Sequence, residues 1–139
     1  MTADGTGTGP APLQVSVVAL PDAVVSTLTG IFDVLNAFEL MDIGPAGARP
    51  PFHVRIVGEA EGLLGLASGV PITVQRAIDG IDTCDVVIVP SVLLRASWQK
   101  ARYPRLVEWL RAMHERGAVL CSACSGLFLL AGTGLFDDR

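Results

Sequence analysis

The sequence predicts a doubly wound α/β fold built on a mostly parallel sheet. Three observations carry that expectation. β-type and helix-type segments alternate along the chain, the pattern of strands joined by crossover helices. One run, Val86-Val87-Ile88-Val89-Pro90, is continuously apolar, as strands covered on both faces are. The chain has 139 residues, 50% of them hydrophobic and only 17% charged, with a mean hydropathy of +0.51. That balance suits helices on both sides of a sheet better than a sheet with one wet face, and the length suits a single domain.

Taken in order, residues 1–12 are rich in Gly and Thr and read as a disordered leader. They lack the basic and apolar regions of a secretory signal. Residues 13–20, Leu13-Gln14-Val15-Ser16-Val17-Val18-Ala19-Leu20, are β-branched, alternate in part and end at Pro21-Asp22, so they form the first strand. Residues 23–41 place Val24, Val25, Leu28, Ile31, Phe32, Leu35 and Phe38 at helical spacing, with Gly44-Pro45 as the stop. Residues 52–57 form a second strand between Pro50-Pro51 and Gly58. Residues 63–75 carry Ser68-Gly69 at their middle and Pro71 after it, which predicts a β-hairpin instead of a crossover helix.

After the apolar strand 86–90, Tyr103-Pro104 opens a helix over 104–116, with Leu106, Val107, Leu110 and Met113 on one face and Gly117 closing it. A strand over 118–123 and a helix-type run over 127–131 complete the alternation. The chain stops at Gly134-Leu135-Phe136-Asp137-Asp138-Arg139, just after that run. This ending predicts that the domain over 13–139 is incomplete at its C-terminus, since a sandwich so cut leaves a strand edge and apolar surface uncovered.

The most informative segment is Ser122-Ala123-Cys124-Ser125-Gly126, which lies between the strand 118–123 and the helix 127–131. It meets the nucleophile-elbow pattern G-x-S-x-G as S-x-C-x-G. The small flanking residues let the backbone turn sharply, so that the nucleophile stands at the carboxyl end of the sheet with helix-opening amides behind it. A buried structural cysteine is the alternative. A Cys121–Cys124 redox pair is disfavoured, because a strand rise of roughly 3.3 Å per residue carries the two Cα atoms past the ~7 Å limit of a disulfide. A catalytic thiol needs a base, and only His53 and His114 exist. His53 falls inside a strand as a half-buried scaffold residue and His114 near a helix end at the surface, so neither pairs with Cys124 by sequence. Open α/β sheets bind ligands at the carboxyl ends of their strands, which makes Asp22, Gly30, Ser91, Cys124 and Ser125 the candidate pocket residues.

The net charge of −4 and pI near 5.0 exclude a phosphate-backbone footprint, so this chain does not bind DNA by itself. Three cysteines without disulfide-like spacing argue for a reducing, cytoplasmic setting. No metal or cofactor is expected: no Cys/His set complements Cys121 and Cys124, and Gly5-x-Gly7-x-Gly9 precedes the first strand when a dinucleotide loop would follow it. The stretch 118–136 carries no charge, yet its serines and glycines divide it into a strand half and a helix half, against a membrane span.

Three segments carry a resemblance to a known family: Leu28-Thr29-Gly30-Ile31-Phe32-Asp33-Val34-Leu35, Asp85-Val86-Val87-Ile88-Val89-Pro90, and the run from Cys121-Ser122-Ala123-Cys124-Ser125-Gly126 through Leu129-Leu130-Ala131-Gly132-Thr133-Gly134-Leu135-Phe136-Asp137. Residues 13–139 resemble the ThiJ/PfpI branch of the class I glutamine amidotransferase-like superfamily. The last run is most similar to the N-terminal domain of AraC-family transcriptional regulators. The resemblance implies a flavodoxin-like three-layer sandwich that senses a small-molecule effector or holds a homodimer, while a C-terminal domain missing here contacts DNA. The alternative it implies is a Cys124-dependent enzyme of the hydrolase or hydratase type, acting on a carbonyl, amide or isonitrile.

Three departures from the catalytic members weigh against the enzyme. Thr27 stands where they carry a glutamate on the first helix, Ser91-Val92 follows Pro90 where they carry Gly-Gly for an oxyanion, and their histidine after the elbow helix would lie beyond Arg139.

Overall fold

The computed structural model describes residues 9–95, 98 and 102–137; most of the expected leader, residues 1–8, lies outside them. The elements run β1 (Leu13–Val18), α1 (Val25–Leu40), β2 (Phe52–Gly58), β3 (Gly62–Gly65), β4 (Pro71–Val74), β5 (Arg76–Ala77), β6 (Val86–Val89), α2 (Pro104–Glu115), β7 (Val119–Ser122) and α3 (Leu127–Ala131), with 3-10 turns at Ile78–Gly80 and Cys124–Gly126.

β1 is the centre of a five-stranded sheet of order β5-β2-β1-β6-β7, and every pairing in it is parallel. Val15 faces Val54 on one side and Val86 on the other, and Val86 in turn faces Val119. β3 and β4 form the separate antiparallel hairpin, with Gly62 opposite Val74. The expected α/β class and parallel sheet are therefore present, and the chain reverses its direction of strand addition beside β1, where such folds bind ligands.

Small differences from the sequence reading have local causes. β1 ends at Val18, although Ala19 still donates one ladder-like bond to the Val57 carbonyl at 2.7 Å. α1 begins at Val25 because Val24 remains extended at φ −77°, ψ 116° and Ala23 forms an isolated bridge with Val92. β5 spans two residues, too short for any periodicity to betray it.

The core is continuous from the sheet to α2. Val17, Val18, Val57, Val87 and Val89 are fully buried, and α2 presents Leu106, Val107, Trp109, Leu110 and Met113 to them. Each such side chain contributes on the order of 2 kcal/mol by leaving water. Trp109 also donates from its indole N–H to the Ile81 carbonyl at 3.2 Å, so its one polar atom is satisfied. α1 is bound more loosely: only Leu28 is fully buried, Ile31, Phe32 and Leu35 are half-buried, and Val34 is 67% exposed. β7 is a sheet edge among the described residues, with Val119 59% exposed. The uncharged stretch is divided into β7, a turn and α3, and no helix among the described residues is long and apolar enough to cross a membrane.

Candidate functional site

Cys124 follows β7 across a single extended residue, Ala123, and opens the 3-10 turn that runs into α3. Its φ of +46° lies in the left-handed region, which a side chain with a Cβ enters at a cost of roughly 1–2 kcal/mol. The thiol is exposed and has no hydrogen-bond partner among the described residues. Gly126 shows why the turn needs its glycine. A Cβ there would fall 2.4 Å from the Pro90 carbonyl oxygen and 2.7 Å from that of Val89, so the end of β6 packs directly on the turn's backbone. Cys121 is half-buried, and all three cysteines are free thiols.

The loop leaving β6 is fastened from three directions. The Ser91 amide donates to Thr27 Oγ1 at 3.1 Å, and that hydroxyl donates onward to the Val24 carbonyl at 3.0 Å. The Val92 amide donates to Ser125 Oγ at 2.9 Å, and the Ser125 hydroxyl returns a bond to the Val92 carbonyl at 2.7 Å. Ser91 Oγ makes a long contact of 3.4 Å to the Ala123 carbonyl. Backbone bonds from Val24 to Ser91 and from Leu93 to Asp22 complete the fastening. Ser91, Ser125 and Cys124 are thus brought together at the carboxyl end of the sheet, with Thr27 as the fourth member.

Asp22 sits beside this network and is 1% exposed. Its Oδ1 accepts from Arg95 at 2.6 Å; its Oδ2 accepts from Arg102 at 2.7 Å and from the Tyr103 hydroxyl at 2.6 Å. Burial alone would push this carboxyl up. The hydrogen bonds from Tyr103, Arg102 and Arg95 outweigh that and hold it below the usual carboxylate range. The Tyr103 phenol is pushed up, by burial and then by its bond to the Asp22 carboxylate. Arg102 also lies over the Tyr103 ring, 5.3 Å from its centroid.

Sequence reasoning named Asp22 as a pocket residue and missed Arg95, Arg102 and Tyr103. Tyr103 was visible only as the residue before a helix-opening proline, and nothing in the local pattern marks the two arginines. Gly30 is not drawn into the network: it is exposed on α1, and a Cβ there would meet nothing within 4 Å.

Other cavities lie away from these residues, one of 340 Å³ beside α2 around Asp79, Arg105 and Trp109. One of 360 Å³ is lined by His114, Val119, Leu120, Leu130, Leu135 and Phe136 among others. Another, of 210 Å³, lies where β1 and β2 end against the hairpin, lined by Leu20, Pro21, Glu59, Leu63, Leu64 and Leu106 among others. None of the three is lined by Asp22, Gly30, Ser91, Cys124 or Ser125. Among the described residues no three His, Cys, Asp or Glu side chains are grouped so as to hold a metal ion.

No family model matches the sequence, and no curated protein matches it. Solved structures do match. An AraC family transcriptional regulator from Pseudomonas putida superposes with a TM-score of 0.69 at 19% identity, over 92% of this chain and 64% of its own. Drosophila melanogaster DJ-1beta gives 0.70 at 19% identity, over 91% and 62%, and a ThiJ/PfpI family protein from Pseudomonas syringae gives 0.68 at 16%, over 90% and 47%. The chain therefore spans less than two thirds of the length of each of these structures. The parallel five-stranded sheet and the helices that flank it are those of the DJ-1/ThiJ/PfpI fold, which this chain shares with the matching part of an AraC-family regulator.

Proposed function

We propose that this chain is the ligand-sensing or dimerisation part of an AraC-type transcriptional regulator, with DNA contacted by another part of the longer protein. The observation that carries this reading is the fate of two amides. In an enzyme of this fold the backbone N–H groups after the central strand would face a developing oxyanion, as the resemblance implies. Here the Ser91 amide is bonded to Thr27 Oγ1 and the Val92 amide to Ser125 Oγ. Donors already engaged internally stabilise no transition-state charge until those bonds break. Thr27 also has no carboxylate with which to exchange a proton with Cys124. The net charge of −4 agrees with a chain that leaves contacts with the DNA backbone to a different domain.

A cysteine-dependent enzyme is the second reading, favoured by one feature: an exposed thiol held at a left-handed φ at the carboxyl end of a parallel sheet, as a nucleophile elbow would hold it. Iodoacetamide separates the two. The sensory reading expects Cys124 to alkylate at pH 7 no faster than free glutathione, whereas a nucleophile would react at least tenfold faster. The decisive test of the regulator is to sequence the coding region beyond Arg139 and measure the intact mass in cells. A basic continuation with two helix-turn-helix motifs is expected. A continuation that closes the α/β domain with a histidine and then stops would overturn it.

A further inference from the structure

A second constellation lies on the sheet face over β1, β2 and β5, independent of the cysteine turn. Side chains two apart on a strand share a face, and the register places Gln14 opposite His53, Ser16 opposite Arg55 and Val57 opposite Arg76. His53, Arg55 and Arg76 therefore stand on one face, with Arg55 diagonal to Arg76. They line a small cavity of 60 Å³ together with Gln14, Ser16 and Thr83. At about 10–15 Å³ for each water-sized occupant, this volume holds roughly four to six heavy atoms, the size of a tetrahedral oxyanion.

The charges there are unbalanced. None of the four ion pairs among the described residues includes Arg55 or Arg76. Arg55 donates to the Val54 carbonyl at 3.1 Å and Arg76 to the Gly80 carbonyl at 2.7 Å, so both guanidiniums keep further donors and their full charge. Of the nearby acids, Asp85 spends Oδ2 on the Gln14 amide at 2.7 Å, and Glu39 acts on His53 from the end of α1. His53 is held below its usual pKa by burial first and by the Arg55 charge second, with Glu39 opposing. Like charges on neighbouring rows of a sheet repel, and an anion between them would remove that cost.

We propose that His53, Arg55 and Arg76 form a binding site for a phosphate-sized oxyanion, either free or as the terminal group of a small phosphomonoester. Gln14 and Thr83 add neutral donors at the rim. The site lies over β1, β2 and β5, whereas Cys124 lies beyond the carboxyl end of β7 at the opposite edge of the sheet, so its occupation does not depend on what the cysteine does.

The test is an NMR titration of the full chain with inorganic phosphate at constant ionic strength, read at the imidazoles of His53 and His114. A saturable shift confined to His53 is expected, with its pKa raised by bound phosphate, because the anion offsets Arg55 and Arg76 while Glu39, Asp85 and the neutral Cys84 thiol stay as they are. Arg55→Met and Arg76→Met should each weaken binding at least tenfold. Arg76 is exposed, so its variant remains informative if Arg55→Met fails to fold. Methyl phosphate in a parallel titration separates the sources: tighter binding than phosphate points to an ester, weaker binding to the free ion. A shift linear in phosphate, an equal response at His114, or binding unchanged in a folded variant would overturn the proposal.

Discussion

Gly126 and Asp22 hold the end of β6 and the segment after it by opposite means, one through having no side chain and the other through a charged one. The space beside Gly126 is filled by the carbonyl oxygens of Val89 and Pro90, which are backbone and cannot swing away. Gly126→Ala is therefore expected to cost about 3 kcal/mol or more, read as a fall in the denaturant midpoint. Asp22 is buried under three donors, and Asp22→Asn should cost on the order of 2 kcal/mol at pH 7. The acid dependence follows from the lowered pKa. The carboxylate's contribution is complete above its unfolded pKa of about 3.9 and is lost as the pH falls through the lower folded value. Denaturant midpoints of the wild type and Asp22→Asn should therefore converge below about pH 4. Midpoints that stay equally far apart down to pH 2 would contradict this assignment.

Among the elements, the loop after β6 depends most on its neighbours, because hydroxyls from α1 and from the cysteine turn supply acceptors that its own backbone lacks. Thr27→Val keeps the shape and removes the acceptor for the Ser91 amide. It should lower stability by about 1 kcal/mol and speed hydrogen exchange at Ser91, with less effect at Val92, which is held by Ser125.

The elements themselves were legible in the sequence wherever a long period existed. The apolar faces of α1 and α2, the β-branched runs of β1 and β2, and the uniform apolarity of β6 all predicted what formed. The turn at Cys124 was legible because small residues at fixed spacing leave few other conformations. Illegible parts depended on contacts distant along the chain. β5 is two residues paired to the end of β2, Arg95 and Arg102 reach Asp22 from far away, and the bond from Ser91 to Thr27 joins segments that no local pattern relates. His53 was read correctly as half-buried, but its basic neighbours appear only once the register between β2 and β5 is known.

At the scale of the whole molecule, one core joins β1, β2, β6 and α2, with Leu120 of β7 packed against it, so unfolding should occur in a single step. Tryptophan fluorescence, from the buried Trp109 and the half-buried Trp98, and far-ultraviolet circular dichroism should report coincident thermal transitions; separated midpoints would mean that the loosely bound α1 melts on its own. The central position of β1 also has a consequence in time, during synthesis on the ribosome. β1 emerges first, pairs early with β2, and must wait for β6 on its other side. About 70 residues separate β1 from β6, which at roughly 5–20 residues per second leaves that flank open for several seconds. Through that interval the nascent chain carries a bare, apolar strand edge at what will become the middle of the protein. The segment ending in Gly126, which locks the end of β6 in place, arrives only after β6 and α2 have been made. The vulnerable period of this fold thus lies in its making, and a ribosome-bound chaperone would be needed most before β6 emerges.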